Sequence, residues 1–166
     1  MAIYFFDSSA LVKRYALEDG RKWVQGVTDP VAANPIYIAR IAGAETIAAF
    51  MKKVRETKMP PSDAARFISD FRIDFASQYQ IIEITATVVA WAMGLIESHK
   101  LRGYDGVQLA VALEVNDLVL SSGMSVIGVS ALTLASADDE LNGAAASEGL
   151  MVEDPRNHLH PADKTA

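Results

Sequence analysis

Short runs rich in apolar residues alternate along the chain with longer stretches in which apolar residues recur at helical spacing. A run whose successive positions are all apolar is typical of a strand buried on both faces, as in a parallel sheet. We therefore expect about five short strands, separated in sequence by helices. Strands are predicted over residues 3–6, 36–38, 79–84, 132–135 and 150–152.

Helices are predicted where an apolar stripe repeats every three to four residues. Ser62 is expected to cap the helix that follows Pro60-Pro61, and Trp91 is expected to face inward from its own helix. Residues 117–131, rich in Ser and Gly, have no clear assignment. One predicted helix follows Ser8-Ser9, and the others cover residues 21–27, 44–56, 62–77, 86–99, 104–116 and 137–147.

The alternation of strands and helices predicts an α/β fold with three layers. A central parallel sheet of about five short strands would be flanked by helices on both faces. The length of 166 residues suits a single hydrophobic core, and no internal repeat or linker divides the chain. We expect residues 1–155 to form one domain and residues 156–166 to form a flexible C-terminal tail.

Several functional classes are excluded by composition. The chain has no cysteine, so disulfides, thiolate metal sites and cysteine nucleophiles are ruled out. Its apolar stretches are interrupted well before the roughly 20 residues of a membrane span. The N-terminus lacks the basic start, long apolar run and cleavage site of a secretory signal. These features predict a cytoplasmic protein that does not associate with a membrane.

The formal net charge of −6 argues, taken alone, against a nucleic-acid binder. Two bound divalent cations would offset four of the negative charges, and a local basic patch is compatible with an acidic chain. A solvated helix face is the alternative interpretation of such a charge run. The candidates for a basic patch are Lys13, Arg14, Lys52, Lys53, Arg55 and Lys58.

Four carboxylates fall at the starts of predicted elements that follow strands or open helices. They are Asp7, Glu45, Asp105 and Asp138. In an open α/β sheet, ligands bind beyond the carboxyl ends of the strands, where these residues are expected to lie. Carboxylate oxygens are hard ligands that suit Mg²⁺ or Mn²⁺. Cations held there would favour displacement at phosphorus, because they activate water and stabilise charge on a phosphate.

Each of these carboxylates also has a purely structural interpretation. Asp7, Asp105 and Asp138 are all suited to capping helices. Gln108 follows Asp105 by three residues, as in a capping box. Glu45 fits the first turn of a helix, where the helix dipole favours negative charge.

Other chemistries have little support in the sequence. Asp139 is interpreted as a capping partner of Ser136 rather than as a ligand. The chain has no dinucleotide-binding or Walker A glycine motif and no nucleophile elbow. His158 and His160, two residues apart near the C-terminus, are a weak indication of a metal site.

Four segments resemble the motifs of PIN domains, and in particular the ribonuclease toxins of bacterial VapBC-type pairs. The first is Phe-Phe-Asp-Ser-Ser-Ala-Leu-Val-Lys at residues 5–13, and the second is Ala44-Glu45 followed by a helix. The third is residues 102–110, where Asp105 opens an Ala-rich helix. The fourth begins at residues 136–141 and continues to Gly149-Leu150. All four motifs occur in order across residues 2–155.

This resemblance implies a five-stranded parallel sheet and an acidic pocket that binds Mg²⁺ or Mn²⁺ and cleaves RNA phosphodiester bonds. It implies catalytic roles for Asp7, Glu45, Asp105 and Asp138, with the three aspartates as metal ligands. Ser9 would support Asp7 without itself being a metal ligand. A non-catalytic PIN-like interaction module and a phosphatase-like metal hydrolase are the alternatives.

The resemblance and the composition together predict a homodimer that also binds a small antitoxin protein. A domain of this size is expected to leave an apolar patch that serves as an interface, although packing of the same residues inside the core is the open alternative. A basic rim beside the patch would serve either RNA phosphates or an acidic stretch of antitoxin. The apolar residues in question are Phe50, Met51, Met59, Phe67 and Phe71.

Overall fold

The computed structural model describes residues 2–122 and 131–163. It contains a five-stranded sheet in the order β3-β2-β1-β4-β5, in which every neighbouring pair is parallel. This confirms the predicted α/β class and the parallel sheet. The strands are β1 (Ile3–Phe6), β2 (Ile36–Ala39), β3 (Gln80–Ile82), β4 (Leu132–Ala135) and β5 (Met151–Glu153).

Seven α-helices connect and cover these strands in the described part of the chain. Helix α6 extends past the predicted end at residue 116, because Val119 continues its buried face. Residues 123–130 of the unassigned Ser/Gly-rich segment lie outside the described residues. The helices are α1 (Ser8–Tyr15), α2 (Arg21–Val27), α3 (Ala42–Arg55), α4 (Pro61–Ser77), α5 (Ala86–Ser98), α6 (Gly103–Ser121) and α7 (Asp139–Ser147).

Alternate side chains of the sheet enter two separate cores, one on each face. Ile3 and Phe5 of β1 belong to the core formed with α5, α6 and α7. Phe6 belongs to the core formed with α1, α2, α3 and α4. Because successive side chains of a strand point to opposite faces, the sheet is the middle of three layers. The central strands are apolar at successive positions because helices cover both faces of the sheet.

Most of the aromatic residues predicted to form an exposed patch are in fact packed inside the second core. Phe50 and Phe71 are fully buried, and their rings meet the ring of Tyr15 at centroid distances of 6.1 and 5.8 Å. Met59 is also buried, and Met51 is the exposed member of the set. The expected patch on α3 and α4 is therefore largely absent, because these two helices pack against α1.

Two local predictions for the helices are wrong. The side chain of Ser62 does not cap α4, which begins at Pro61 with Pro60 in the capping position. Proline suits the first helical position because its missing N–H needs no partner there. Trp91 is 37% exposed. Helix α5 instead packs through Val88, Ala92 and Leu95.

The C-terminal segment contacts α2 through a buried carboxylate. Asp163 accepts hydrogen bonds from the backbone N–H groups of Gly20 and Lys22 at 3.1 and 2.8 Å. The ring of His158 stacks on Trp23 with a centroid distance of 4.6 Å. These contacts extend the ordered packing beyond residue 155, while the flexibility of residues 156–166 stays a prediction. No helix in residues 2–122 or 131–163 has the length and apolarity that crossing a membrane requires.

Gly20 is the position where this packing depends most directly on the absence of a side chain. Its φ is +85°, and an added Cβ would lie 2.1 Å from the carbonyl oxygen of Pro155. We expect Gly20→Ala to lower the free energy of unfolding by at least about 1–2 kcal/mol, the left-handed backbone penalty alone. Urea denaturation measures the change.

Gly26→Ala is the matched control within α2, the helix whose N-terminal capping residue is Gly20. Open space surrounds the position that its Cβ would take. Alanine is the better helix former by about 1 kcal/mol, so this variant should be as stable as the wild type or more so. Equal unfolding midpoints for the two variants would contradict the structural role assigned to Gly20.

Candidate active site

Asp7 lies at the carboxyl end of β1 and caps α1. Its Oδ2 atom accepts hydrogen bonds from the backbone N–H of Ser9 at 3.1 Å, from the Ser9 hydroxyl at 2.6 Å and from the Ser136 hydroxyl at 3.3 Å. Oδ1 receives a longer bond of 3.4 Å from the Ser8 hydroxyl. The residue is only 4% exposed. One carboxylate oxygen is thus fixed by three donors, and the other keeps most of its capacity to accept.

Two serines connect Asp7 to the end of β4. The Ser9 hydroxyl accepts from the backbone N–H of Ala137 at 2.9 Å, and the Ser136 hydroxyl accepts from the N–H of Asp138 at 3.0 Å. Each hydroxyl therefore donates to one carboxylate and accepts from the β4–α7 connection. The same loop that carries Asp138 is in this way tied directly to Asp7.

Asp138 caps α7, because its Oδ1 accepts from the N–H of Leu141 at 2.9 Å. The capping interpretation is therefore correct for both Asp7 and Asp138. The predicted pairing of Asp139 with Ser136 is wrong. Asp139 forms an ion pair with Arg156, and Asp138 is the acidic residue whose backbone contacts the Ser136 hydroxyl.

Asp105 and Glu45 occupy the first turns of α6 and α3. Arg102, and not Asp105, is the capping residue of α6, so the predicted capping box is wrong. The buried side chain of Gln108 instead donates from Nε2 to Oε2 of Glu45 at 2.6 Å. This bond connects α6 to α3 across the sheet end and fixes one oxygen of the Glu45 carboxylate.

The four carboxylates influence one another electrostatically. Burial, together with the charges of Asp7 and Asp105, raises the pKa of Glu45 to about 7, against the opposing hydrogen bond from Gln108. Burial and the charges of Asp138 and Asp7 raise the pKa of Asp105, against weaker contributions from Arg102. The structure thus holds negative charges near one another in a partly dehydrated place, where like charges repel most strongly.

Among the described residues, no positively charged side chain lies within ion-pairing distance of these four carboxylates to reduce the repulsion. None of the ion pairs in the described segments involves Asp7, Glu45, Asp105 or Asp138. The chemistry of the donor set, carboxylate oxygens only, fits Mg²⁺ or Mn²⁺. Across residues 2–122 and 131–163, however, no three acidic or histidine side chains are grouped tightly enough to form a ready-made metal site. A shared metal pocket therefore stays a prediction.

Ser136 and Gln108 are the two site residues whose roles the sequence analysis missed. The signal for Ser136 is the strand register, since Phe6 pairs with Ala135 and the residues that follow them are Asp7 and Ser136. The contact of Gln108 with Glu45 has no comparable signal, because it joins side chains 63 positions apart.

A three-layer fold with acidic residues beyond the central strands of its sheet is the architecture of a PIN-like domain. Ribonuclease VapC45 of Mycobacterium tuberculosis is 34% identical to this chain over 117 residues, which cover 70% of the chain and 79% of the relative. Ribonuclease VapC49 of the same species matches with the same identity and coverage. The chain therefore belongs to the VapC ribonuclease family. No protein-family model matches it.

Solved structures of lower sequence identity share the fold. PAE2754 from Pyrobaculum aerophilum aligns over 95% of this chain and 87% of its own, with a TM-score of 0.59 and 20% identity. VapBC2 from Rickettsia felis, bound to a promoter DNA fragment, aligns over 92% and 98% with a TM-score of 0.57 and 17% identity. VapC20 of M. tuberculosis, a toxin that cleaves the sarcin-ricin loop, aligns over 89% and 96% with a TM-score of 0.55 and 14% identity.

Removal of the Ser136 hydroxyl should lower the free energy of unfolding, because it breaks hydrogen bonds at the candidate active site. Ser136→Ala deprives Asp7 of one donor and leaves the N–H of Asp138 without its acceptor. We expect a loss of about 1–3 kcal/mol in the free energy of unfolding, the cost of buried polar groups left unsatisfied. Urea denaturation of Ser147→Ala is the control, because that exposed hydroxyl bonds only within its own helix. Its change should stay within about 0.5 kcal/mol, and equal losses would contradict the role of Ser136.

Proposed function

We propose that this chain is an Mg²⁺- or Mn²⁺-dependent endoribonuclease and the toxin of a toxin–antitoxin pair. The names of its relatives within the family, both ribonucleases, support RNA cleavage. The structural neighbours include a toxin–antitoxin complex from Klebsiella pneumoniae, which supports the assignment to such a pair.

The observation that carries this proposal is a set of four carboxylates at the carboxyl edge of the sheet, none of which has an ion-pairing partner among the residues that the structure describes. Burial and mutual repulsion together raise the pKa of Glu45 and Asp105, so the set is unfavourable for folding. A non-catalytic interaction module has no use for such a set. A divalent cation would remove the repulsion and give the arrangement a function.

Each side chain of the site would have a distinct role. Asp7, Asp105 and Asp138 would hold the cation, and Ser9 keeps Asp7 oriented through its 2.6 Å hydrogen bond. Glu45 completes the acidic set, with one oxygen fixed by Gln108 and the other available to accept from water. When bound, Mg²⁺ or Mn²⁺ would supply positive charge for the phosphate and lower the pKa of a water molecule.

Asp7→Asn tests the proposal. Asparagine keeps the size and much of the capping ability of aspartate but not its charge. We expect cleavage of structured RNA in the presence of Mn²⁺ or Mg²⁺ to fall by at least about a hundredfold, because changes outside the ligand set already cost 10- to 100-fold. Asp70→Asn, an exposed position on α4, is the control and should cleave at the wild-type rate.

Thermal unfolding gives a second readout that does not depend on activity. Mn²⁺ should raise the unfolding midpoint of the wild type and of Asp70→Asn, by an amount that grows with the metal concentration. The same titration should leave the midpoint of Asp7→Asn almost unchanged. Asp7 is not a metal ligand if Asp7→Asn cleaves RNA at the wild-type rate. The same conclusion follows if Mn²⁺ raises the unfolding midpoints of all three proteins equally.

We also propose that the chain forms a homodimer that binds a small antitoxin. Val89 and Met93 are exposed apolar side chains four residues apart on one face of α5. They support a protein contact on this helix rather than on α3 and α4.

Light scattering should give about twice the 17.9 kDa of one chain. Met93→Glu should shift the mass towards the monomer, whereas Ile73→Glu, also exposed, should not. A wild-type monomer at tens of micromolar would reject the dimer.

A further inference from the structure

The residues at and just before the start of α6 are exposed beside the acidic site. The helix is otherwise enclosed by the protein as far as residue 113, since every residue of 106–113 is buried or half-buried. The exposed residues are Arg102, Gly103 and Tyr104, and Asp105 follows them directly. Because the charges of two other site carboxylates act on Asp105, this turn forms one edge of the acidic site.

Little in the fold accounts for an aromatic ring at Tyr104. The residue is 60% exposed, and the other four tyrosines of the chain are buried or half-buried. Across residues 2–122 and 131–163, no ring–ring or cation–π contact involves Tyr104. Alanine is a better helix former than tyrosine. The ring is therefore of little use to the stability of the described fold.

The surface of this turn is open to a flat molecule. No atom from another part of the described protein lies within 4 Å of the position that a Cβ of Gly103 would take. A planar group can therefore reach the turn from solvent without displacing a side chain. An exposed aromatic ring offers such a group a stacking surface, and nucleobases are the planar groups that proteins most often bind in this way.

The position of Tyr104 in the chain relates the ring to the expected reaction. Its Cα atom is about 3.8 Å from that of Asp105, which would help to hold the cation at the cleaved phosphate. A base is joined to the phosphate of its own nucleotide through a single sugar. A base beside the cleaved bond therefore comes close to Tyr104, whereas an uncharged ring has little attraction for the phosphate itself.

We propose that Tyr104 stacks on the base of a nucleotide next to the cleaved bond and so positions the RNA strand at the carboxylates. The proposal rests on the proposed function, since it needs the cleaved phosphate to lie beside Asp105. It makes Tyr104 a substrate-binding residue with no part in metal binding. A base that is free to leave its neighbours in the strand would bind best, because the ring has to reach its face.

Three variants isolate the ring. Tyr104→Ala removes it, and Tyr104→Phe keeps it but loses the hydroxyl. Leu118→Ala is the matched control, because Leu118 lies on the same helix and is 61% exposed. The 14 residues between the two positions correspond to about 21 Å along the helix axis. All three variants should unfold at the wild-type midpoint, since neither side chain is buried.

RNA affinity is the first measurement. The wild type is used to map a cleaved bond, and a short labelled RNA that contains it is titrated by fluorescence anisotropy with EDTA present to prevent cleavage. Loss of a stacked base weakens binding by roughly tenfold, the result expected for Tyr104→Ala. Tyr104→Phe and Leu118→Ala should bind like the wild type. The salt dependence of the Kd should be the same for all four proteins, because no variant changes a charge.

An abasic RNA shows whether the ring contacts a base. Removal of the base on one side of the mapped bond should weaken binding to the wild type as much as Tyr104→Ala does. The variant should bind the abasic and the intact RNA equally well, since the two changes remove the same contact. In kinetics with Mn²⁺, Tyr104→Ala should raise KM and leave kcat unchanged, because the stacked base is bound alike in the ground and transition states.

The outcomes distinguish this proposal from the proposed function. If the wild type cleaves RNA while Tyr104→Ala binds and cleaves like it, the ring is not a base-binding group, although the ribonuclease assignment stands. The proposal is also overturned if abasic substitution weakens the variant as much as the wild type. A variant whose mass changes in light scattering while its RNA affinity does not would assign the ring to a protein contact instead. If the wild type neither binds nor cleaves RNA, both proposals are overturned.

Discussion

The parallel pairing of β1 with β4 is the interaction on which the rest of the site depends. Four residue pairs from Ile3–Leu132 to Phe6–Ala135 set these strands level with each other. Because the strands end together, Asp7 and Ser136 emerge side by side, and the hydroxyls of Ser9 and Ser136 can span from one connection to the other. A register shift of one residue would turn these side chains to the opposite face.

The acidic set exists at the expense of folding stability, and the structure offsets this locally. Asp7 and Asp138 each satisfy a helix N-terminus as well as carrying charge, so the capping and functional interpretations are not alternatives. Positive helix ends also reduce the penalty of nearby negative charge.

Much of the fold was predictable because its elements rest on local patterns. Each predicted strand is a short run rich in apolar residues, and each is present within a residue or two of its predicted bounds. Helix α5 shows where that reasoning stops, because it is apolar nearly all round and Trp91 gives no indication of its inner face. The roles of Gln108 and Ser136 depend on side chains brought together by register and helix packing, which no local pattern encodes. The acidic residues themselves are predictable from their positions at element starts, whereas their joint metal site stays a prediction.

The position of β1 in the middle of the sheet has a consequence for synthesis on the ribosome. β1 is made first, but its partner β4 follows about 130 residues later, which at 5–20 residues per second means roughly 7–25 seconds. During that interval one edge of β1 has no strand to pair with, and exposed edges invite aggregation. The loop that carries Ser136 and Asp138 is absent for the same period. A nascent chain therefore lacks the complete acidic set until most of the protein has been translated.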